Sequence, residues 1–179
     1  MAENFDCRPI QVLKLDLRDT RLRELVRPGL REIPLFIDPI GPDEWTYQID
    51  SKKRVLLKTR CSKHPLAKGH GSLPLLETQR ISLRETETTD QPINEDTYWT
   101  LCDRFAGGHD FIRVLGSPIW LQRVEERLCD CGGAMNYIAS IGYGGEGSMT
   151  GMRFLVGEFA SYFFLCEKCP TIKVVAQSV

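Results

Sequence analysis

The sequence has no long hydrophobic run and little net charge of either sign. No stretch approaches the roughly 18 consecutive apolar residues of a membrane helix, and the formal net charge is −1. Residues 1–7 contain neither the basic segment nor the apolar segment of a signal peptide. These absences argue against a membrane protein and against a strongly basic nucleic-acid binder. We therefore expect a cytoplasmic protein.

Catalytic patterns are also scarce. The chain has 3 histidines, His64, His70 and His109, and none of them stands in a metal-binding or catalytic motif. No Gly-x-Ser-x-Gly is present, and no spacing forces two carboxylates together. We predict that the protein is not an enzyme. The open alternative is an enzyme with His109 in a pocket, because this histidine lies between two glycines and Asp110.

What the sequence does contain is enough apolar surface for a core. With 179 residues, 42% of them hydrophobic, the chain suits a single domain over residues 1–179. We divide it into a β-rich half (1–62), irregular charged loops (63–93), and a helix followed by a second β-rich half (94–179).

Apolar, branched segments bounded by turn residues predict mainly antiparallel β-structure with one or two helices, an α+β fold. A short helix follows the capping residues Asp19 and Thr20, with Leu22, Leu25 and Val26 on its apolar face. Asn94 caps a longer helix that Gly107 and Gly108 end. The predicted strands are 10–17, 33–38, 45–49, 54–59, 111–115, 136–141, 153–156, 160–165 and 171–176.

Residues 10–38 and 135–166 share a weak pattern of strand, break and apolar strand. Two similar halves would explain this repeated pattern, and the alternation common to β-strands would explain it equally well. In the second segment, residues 162–165 are continuously apolar. Such a run is typical of a central strand buried on both faces.

Cysteines carry the strongest signal. Of 7 in the chain, four form two close pairs, Cys129 with Cys131 and Cys166 with Cys169. Two such pairs predict a tetrahedral Cys₄ site for a structural Zn²⁺, with no open position for catalysis. We expect the two glycines after Cys131 to let the backbone fold back and to offer N–H donors to the thiolates.

Two features leave alternatives to four-sulfur zinc open. The single residue between Cys129 and Cys131 is a shorter gap than usual, so three sulfurs with His109 or water could complete the shell. A reduced or disulfide-forming redox pair is the other alternative. The remaining cysteines, Cys7, Cys61 and Cys102, are read as buried small side chains.

Charge separates along the middle of the chain. A basic segment suggests the alternative of a zinc-ribbon nucleic-acid binder whose affinity falls with salt; its residues are Lys52, Lys53, Arg54, Lys58 and Arg60. An acidic stretch follows, which could receive a basic protein partner. The candidate partner-binding residues are Glu77, Glu85, Glu87, Asp90, Glu95 and Asp96.

Residues 115–177 resemble the YwqG-like family, a group of mostly bacterial cytosolic proteins. The resemblance rests on Leu-Gly-Ser-Pro-Ile-Trp-Leu-Gln at 115–122, on Cys-x-Cys-Gly-x-x-Met-x-x-Ile at 129–138 with Ile141, and on Cys166-x-x-Cys169 and Gln177. Residues 12–17, Gly29 and Leu35-Phe-Ile37 are similar to the family's first hairpin.

The resemblance implies an α+β fold built from β-sheets and no established enzymatic activity. Members of the family often resemble proteins of bacterial toxin–immunity neighbourhoods. We therefore hypothesise a protein-binding module, an immunity protein that binds and occludes a cognate toxin. Carboxylates of the acidic stretch would steer a cationic partner onto it.

Overall fold

The computed structural model describes residues 9–38, 44–50, 55–57, 81–83, 85, 100, 111–122, 128–143 and 159–178. In these ranges the chain forms strands and one 3₁₀ helix. In chain order they are β1 (Ile10–Asp16), the 3₁₀ helix (Thr20–Leu25), β2 (Glu32–Ile37), β3 (Glu44–Ile49), β4 (Val55–Leu57), β5 (Phe111–Val114), β6 (Met135–Tyr143), β7 (Phe159–Cys166) and β8 (Thr171–Ser178).

The strands form two antiparallel sheets. Strands β1 and β2 pair as a two-stranded sheet. The other six lie in the order β4-β3-β8-β7-β6-β5, and each neighbouring pair is antiparallel. The last strand, β8, therefore lies between β3 and β7 and joins the early part of the chain to its C-terminal hairpin.

The β1–β2 hairpin and the 3₁₀ helix cover one face of the larger sheet. Leu22 and Leu25 of the helix and Ile33 of β2 are buried in one cluster with Phe163 of β7. The Asp19 carboxylate caps the helix by accepting from the Arg21 N–H. Val26, expected on the apolar face, instead follows the helix and is 51% exposed.

Strand β7 is buried on both faces, as its continuous apolar run predicted. Phe163 and Leu165 belong to the cluster beneath the hairpin, which we call the first core. Tyr162 and Phe164 belong to a cluster on the opposite face, which we call the second core. Successive side chains of a strand point to opposite faces, so this one strand contributes to both cores.

A register shift in β6 changes which of its side chains reach each core. Tyr137 pairs with Phe164, and Ala139 pairs with Phe163, so one residue of β6 has no partner between them. Such a β-bulge reverses the alternation of faces. Before the bulge Met135 packs in the second core, whereas after it Ala139 packs in the first.

Ile119, Trp120 and Leu121 pack in the second core, and side chains of the sheet hold this segment by hydrogen bonds. The buried Tyr162 hydroxyl donates to Ile119 O over 2.8 Å and accepts from Leu121 N over 2.9 Å. Gln177 Oε1 accepts from Gln122 N over 2.9 Å. These bonds satisfy backbone groups of a segment that has no strand partner of its own.

The fold is mostly antiparallel β-sheet, as predicted, and the helical part of the α+β expectation stays a prediction. In the described part of the chain, helix is limited to the 3₁₀ helix and Thr100, and no helix there is long and apolar enough to span a membrane. The rest of the predicted 94–106 helix and strand 153–156 lie outside the described residues. The hypothesis of two similar halves stays a prediction.

Candidate metal centre

The four cysteines of the predicted site lie in two turns at one end of the larger sheet. Cys129 and Cys131 precede β6, while Cys166 and Cys169 lie where β7 passes into β8. Met135 of β6 pairs with Cys166 of β7, so the two turns lie side by side. Antiparallel pairing of adjacent strands thus brings together cysteines that are far apart in sequence.

The first turn is a small hairpin closed by an isolated antiparallel bridge. Cys129 N donates to Gly133 O over 2.9 Å, and Gly132 N donates to Cys129 O over 2.8 Å. Gly132 has a φ of 73°, a left-handed conformation that favours glycine. This tight reversal lets Cys129 and Cys131 approach the same point although a single residue separates them.

The second turn presents its sulfurs from the loop between two strands. Lys168 N donates to Cys166 Sγ over 3.4 Å. Glu167 N donates to Ala134 O over 3.0 Å, which carries the β6–β7 pairing past the end of both strands and ties the two turns together. Backbone donors of this kind stabilise thiolate charge and orient the ligands.

The sulfurs are close enough to share one ion. The Sγ atoms of Cys131 and Cys166 lie 3.4 Å apart, those of Cys131 and Cys169 3.5 Å, and those of Cys129 and Cys169 3.6 Å. All four ligand atoms lie within 4.8 Å of one another. For tetrahedral zinc, Zn–S bonds of about 2.3 Å place sulfurs about 3.8 Å apart.

These separations are far longer than the roughly 2.05 Å of a disulfide, and the four cysteines are free thiols. All four, rather than three, come together, so the short Cys129–Cys131 gap does not remove either sulfur from the cluster. The arrangement could hold a metal ion with four sulfur ligands.

The electrostatic environment of the thiols differs between positions. Burial raises the pKa of Cys166 to about 12. Burial also acts to raise the pKa of Cys169, but hydrogen bonds with Thr171 and with the neighbouring thiols outweigh it and lower that pKa to about 7. Thr171 Oγ1 lies 3.1 Å from Cys169 Sγ. A buried thiolate such as Cys166 needs a nearby positive charge to be stable.

Gly133 makes room for a sulfur, a role different from the expected one. A Cβ at this position would lie 2.7 Å from Cys166 Sγ and 3.1 Å from Lys168 Cγ. We expected Gly132 and Gly133 to donate N–H groups to the thiolates, but Gly132 N donates to the carbonyl of Cys129. The backbone donors to the sulfur of Cys166 are instead those of Lys168 and Cys169.

Lys168 and Thr171 are the neighbours of the site that the sequence analysis did not identify. Lys168 Nζ donates to Gly132 O over 3.2 Å and thereby bridges the two turns. Four thiolates and one dication would sum to a charge of about −2, so a lysine here is favourable. A lysine inside Cys-x-x-Cys and a hydroxyl two residues after the last cysteine are the signals that could have found them.

The predicted partner-binding surface is described at one residue. Glu85 is exposed, and it lies near Arg21, whose pKa is raised first by its hydrogen bond with Asp19 and more weakly by Glu85. Three sets of residues lie outside the described part of the chain: the other five acidic candidates, His109, and the five basic residues of the 52–60 segment. The interpretations that rest on them stay predictions.

No family model, no curated protein and no solved structure matches this chain. The resemblance to the YwqG-like family therefore stays a prediction.

Proposed function

We propose that the chain is a zinc-stabilised β-sheet module in which Cys129, Cys131, Cys166 and Cys169 bind one Zn²⁺. The observation that carries this proposal is the convergence of four sulfurs from two adjacent turns, with contacts of 3.4–3.6 Å. These values approach the sulfur–sulfur edge of a tetrahedral zinc thiolate centre, about 3.8 Å. Thiolate ligands select zinc and other soft or borderline metals over calcium and magnesium.

The ion has a structural role in this proposal. Four protein sulfurs fill a tetrahedral shell and leave no position for water or substrate. Cys166 is fully buried and Cys129 is 8% exposed, which further limits access to the metal. The zinc would hold the first turn against the β7–β8 loop at the end of the sheet.

Metal analysis tests the zinc proposal directly. Protein purified without chelator should carry about one zinc per chain, and removing the zinc should lower the midpoint of thermal unfolding. Cobalt substitution should give the intense visible absorption of tetrahedral thiolate coordination. A folded, metal-free preparation whose four site thiols titrate freely and whose stability does not respond to added zinc would contradict the proposal.

We further propose that this module acts by binding a protein, with a cognate toxin as the candidate partner. A filled zinc shell favours a binding role over a catalytic one, and the resemblance to the YwqG-like family suggests immunity. The exposed Glu85 belongs to the acidic stretch that would attract a cationic partner. The mechanism would be steric and electrostatic occlusion of the partner, with no chemistry by this chain.

A pull-down from the native cell tests the partner. The tagged protein should retain one dominant protein at low and moderate salt, and a variant with the six acidic candidates replaced by their amides should retain less of it. The amides keep the size of the side chains and remove their charge. Nucleic acid that washes off with salt would instead favour the basic segment as the functional surface.

A further inference from the structure

The four cysteines of the centre are unequally exposed. Cys166 is completely buried, and Cys129 is 8% exposed. Cys169 is half-buried, whereas Cys131 is exposed. A reagent in solution therefore meets the centre first at Cys131.

The exposed cysteine is also one whose sulfur contacts both sulfurs of the other turn. Cys131 Sγ lies 3.4 Å from Cys166 Sγ and 3.5 Å from Cys169 Sγ. A disulfide of about 2.05 Å would require an approach of about 1.4 Å from 3.4 Å. Gly132 follows Cys131, and a Cβ there would meet nothing within 4 Å, so no neighbouring side chain packs against the turn at that position.

From this geometry we propose that Cys131 is the site at which a peroxide oxidises the centre, closing a disulfide to the Cys166–Cys169 turn and releasing the metal. The inference rests on the proposed zinc site. It assigns an oxidation reaction to the cysteines of a site whose ion is otherwise structural, and it identifies Cys131 as the residue that reacts first.

The reaction balances with hydrogen peroxide as the oxidant. The sulfur of Cys131 attacks one peroxide oxygen, the O–O bond breaks, and the leaving hydroxide takes a proton to become water. The sulfur of Cys166 or Cys169 then displaces the hydroxyl of the sulfenic acid, an S–S bond forms, and a second water leaves after protonation. Two electrons pass from sulfur to peroxide, and the ion loses two of its four ligands.

The position of the disulfide explains why oxidation would be reversible. It would link the same two turns that the metal links, and Glu167 N–Ala134 O would still join their backbones. A resolving sulfur within 3.5 Å of Cys131 can react with the sulfenic acid before a second peroxide carries it to the irreversible sulfinic acid. A reductant should then restore the thiols and the metal site.

The experiment begins with protein whose zinc content has been measured. Peroxide is added in steps with a chromophoric chelator present, and the cysteines are mapped by differential alkylation and mass spectrometry. We expect one zinc released per disulfide formed, Cys131 in that disulfide, and zinc rebinding after reduction. The peptide map also separates oxidation at the centre from oxidation at Cys7, Cys61 or Cys102.

Two variants sharpen the test. Cys131→His keeps a ligand at the exposed position without a sulfur, and it should slow peroxide-driven zinc release several-fold. Val26→Ala, at an exposed position just after the 3₁₀ helix, keeps all four sulfurs, so its release should stay close to that of the unmodified protein. If either variant fails to bind zinc, the peptide map of the oxidised, unmodified protein tests the proposal by showing whether Cys131 is in the disulfide.

The outcomes distinguish this inference from the zinc proposal. Purified protein without zinc would overturn both. Zinc that is present but leaves without Cys131 entering a disulfide, or that leaves Cys131→His as fast as the unmodified protein, would overturn the inference alone and keep the structural site.

Discussion

Replacing Gly133 by alanine is the sharpest test of the metal centre, because the added methyl group points at a ligand. The new Cβ would lie 2.7 Å from Cys166 Sγ, a distance that real Cβ atoms essentially never show. Lys168 lies on the same side, with its Cγ at 3.1 Å and its Cβ at 3.3 Å. The sulfur or the turn must therefore move.

The size of that movement predicts the effect. Reaching even 3.0 Å requires a shift of about 0.3 Å (3.0 − 2.7), and ordinary contact at 3.4 Å requires about 0.7 Å. Metal–ligand distances tolerate only about 0.2 Å. Overpacking of this kind costs about 1–3 kcal/mol, and if the metal-bound state bears this cost, zinc affinity falls about 5- to 150-fold.

Gly29 provides a control for this substitution. It has a φ of 82°, and a Cβ there would meet nothing within 4 Å. Alanine at Gly29 should lower the free energy of unfolding by about 1 kcal/mol through backbone strain and leave zinc affinity nearly unchanged, because Gly29 lies between the 3₁₀ helix and β2. Competition with a chromophoric chelator measures the affinity. Equal zinc affinity for Gly133→Ala and Gly29→Ala would refute the reasoning.

Three further predictions address the ligands, the second core and the charged surface. Cys166→Ser should release the metal and lower the midpoint of thermal unfolding, since it removes a buried ligand. A variant with normal metal content and a normal unfolding midpoint would contradict this prediction. Tyr162→Phe should cost about 1–3 kcal/mol in urea unfolding, because Leu121 N and Ile119 O lose their buried partner; a loss near zero would show that these groups find another partner. Asp19 has a pKa lowered to about 2 by its hydrogen bonds with the neighbouring arginine, so its stabilisation is present above the unfolded pKa of about 3.9 and is lost as pH falls towards 2. Asp19→Asn should therefore flatten the fall in stability over this pH range, and an unchanged pH profile would contradict the assignment.

The strands could be predicted well where local sequence decides the structure. The alternation in β3 places Trp45, Tyr47 and Ile49 on the buried side, and the apolar run in β7 indicates burial on both faces. These signals depend on neighbouring residues in the chain. They identify strands without showing which strands pair.

Sheet order was beyond sequence reasoning because it depends on packing between distant segments. The pairing of β8 with β3 brings Trp45 opposite Val174, and no turn links these strands directly. The bulge in β6 likewise bears on distant packing, since Met135 before it lies in the second core and Ala139 after it lies in the first. The amino-acid pattern of residues 135–139 does not by itself predict the extra residue of the bulge.

The candidate site shows the same division between local and distant effects. Cysteine spacing predicted the four candidate ligands, and the tetrahedral geometry of zinc predicted that their sulfurs would lie close together. Spacing did not indicate that Gly133 accommodates the sulfur of Cys166 or that Lys168 bridges the turns. Both contacts cross from one turn to the other, so they depend on the β6–β7 register, which the sequence analysis did not assign.

The location of the cysteine cluster also predicts which part of the fold would depend on the proposed zinc. Cys129, Met135 and Cys166 pack in the second core with Tyr162, whereas none of the cysteines that the structure describes lies in the first core. Metal loss should therefore loosen the first turn and the second core, and leave the packing of the β1–β2 hairpin in place. Hydrogen exchange can measure the stability of the second core and of the hairpin separately. Zinc removal should speed exchange at Leu121 N and leave exchange in β2 unchanged. Equal acceleration in both would mean that the metal stabilises the sheet as one cooperative unit.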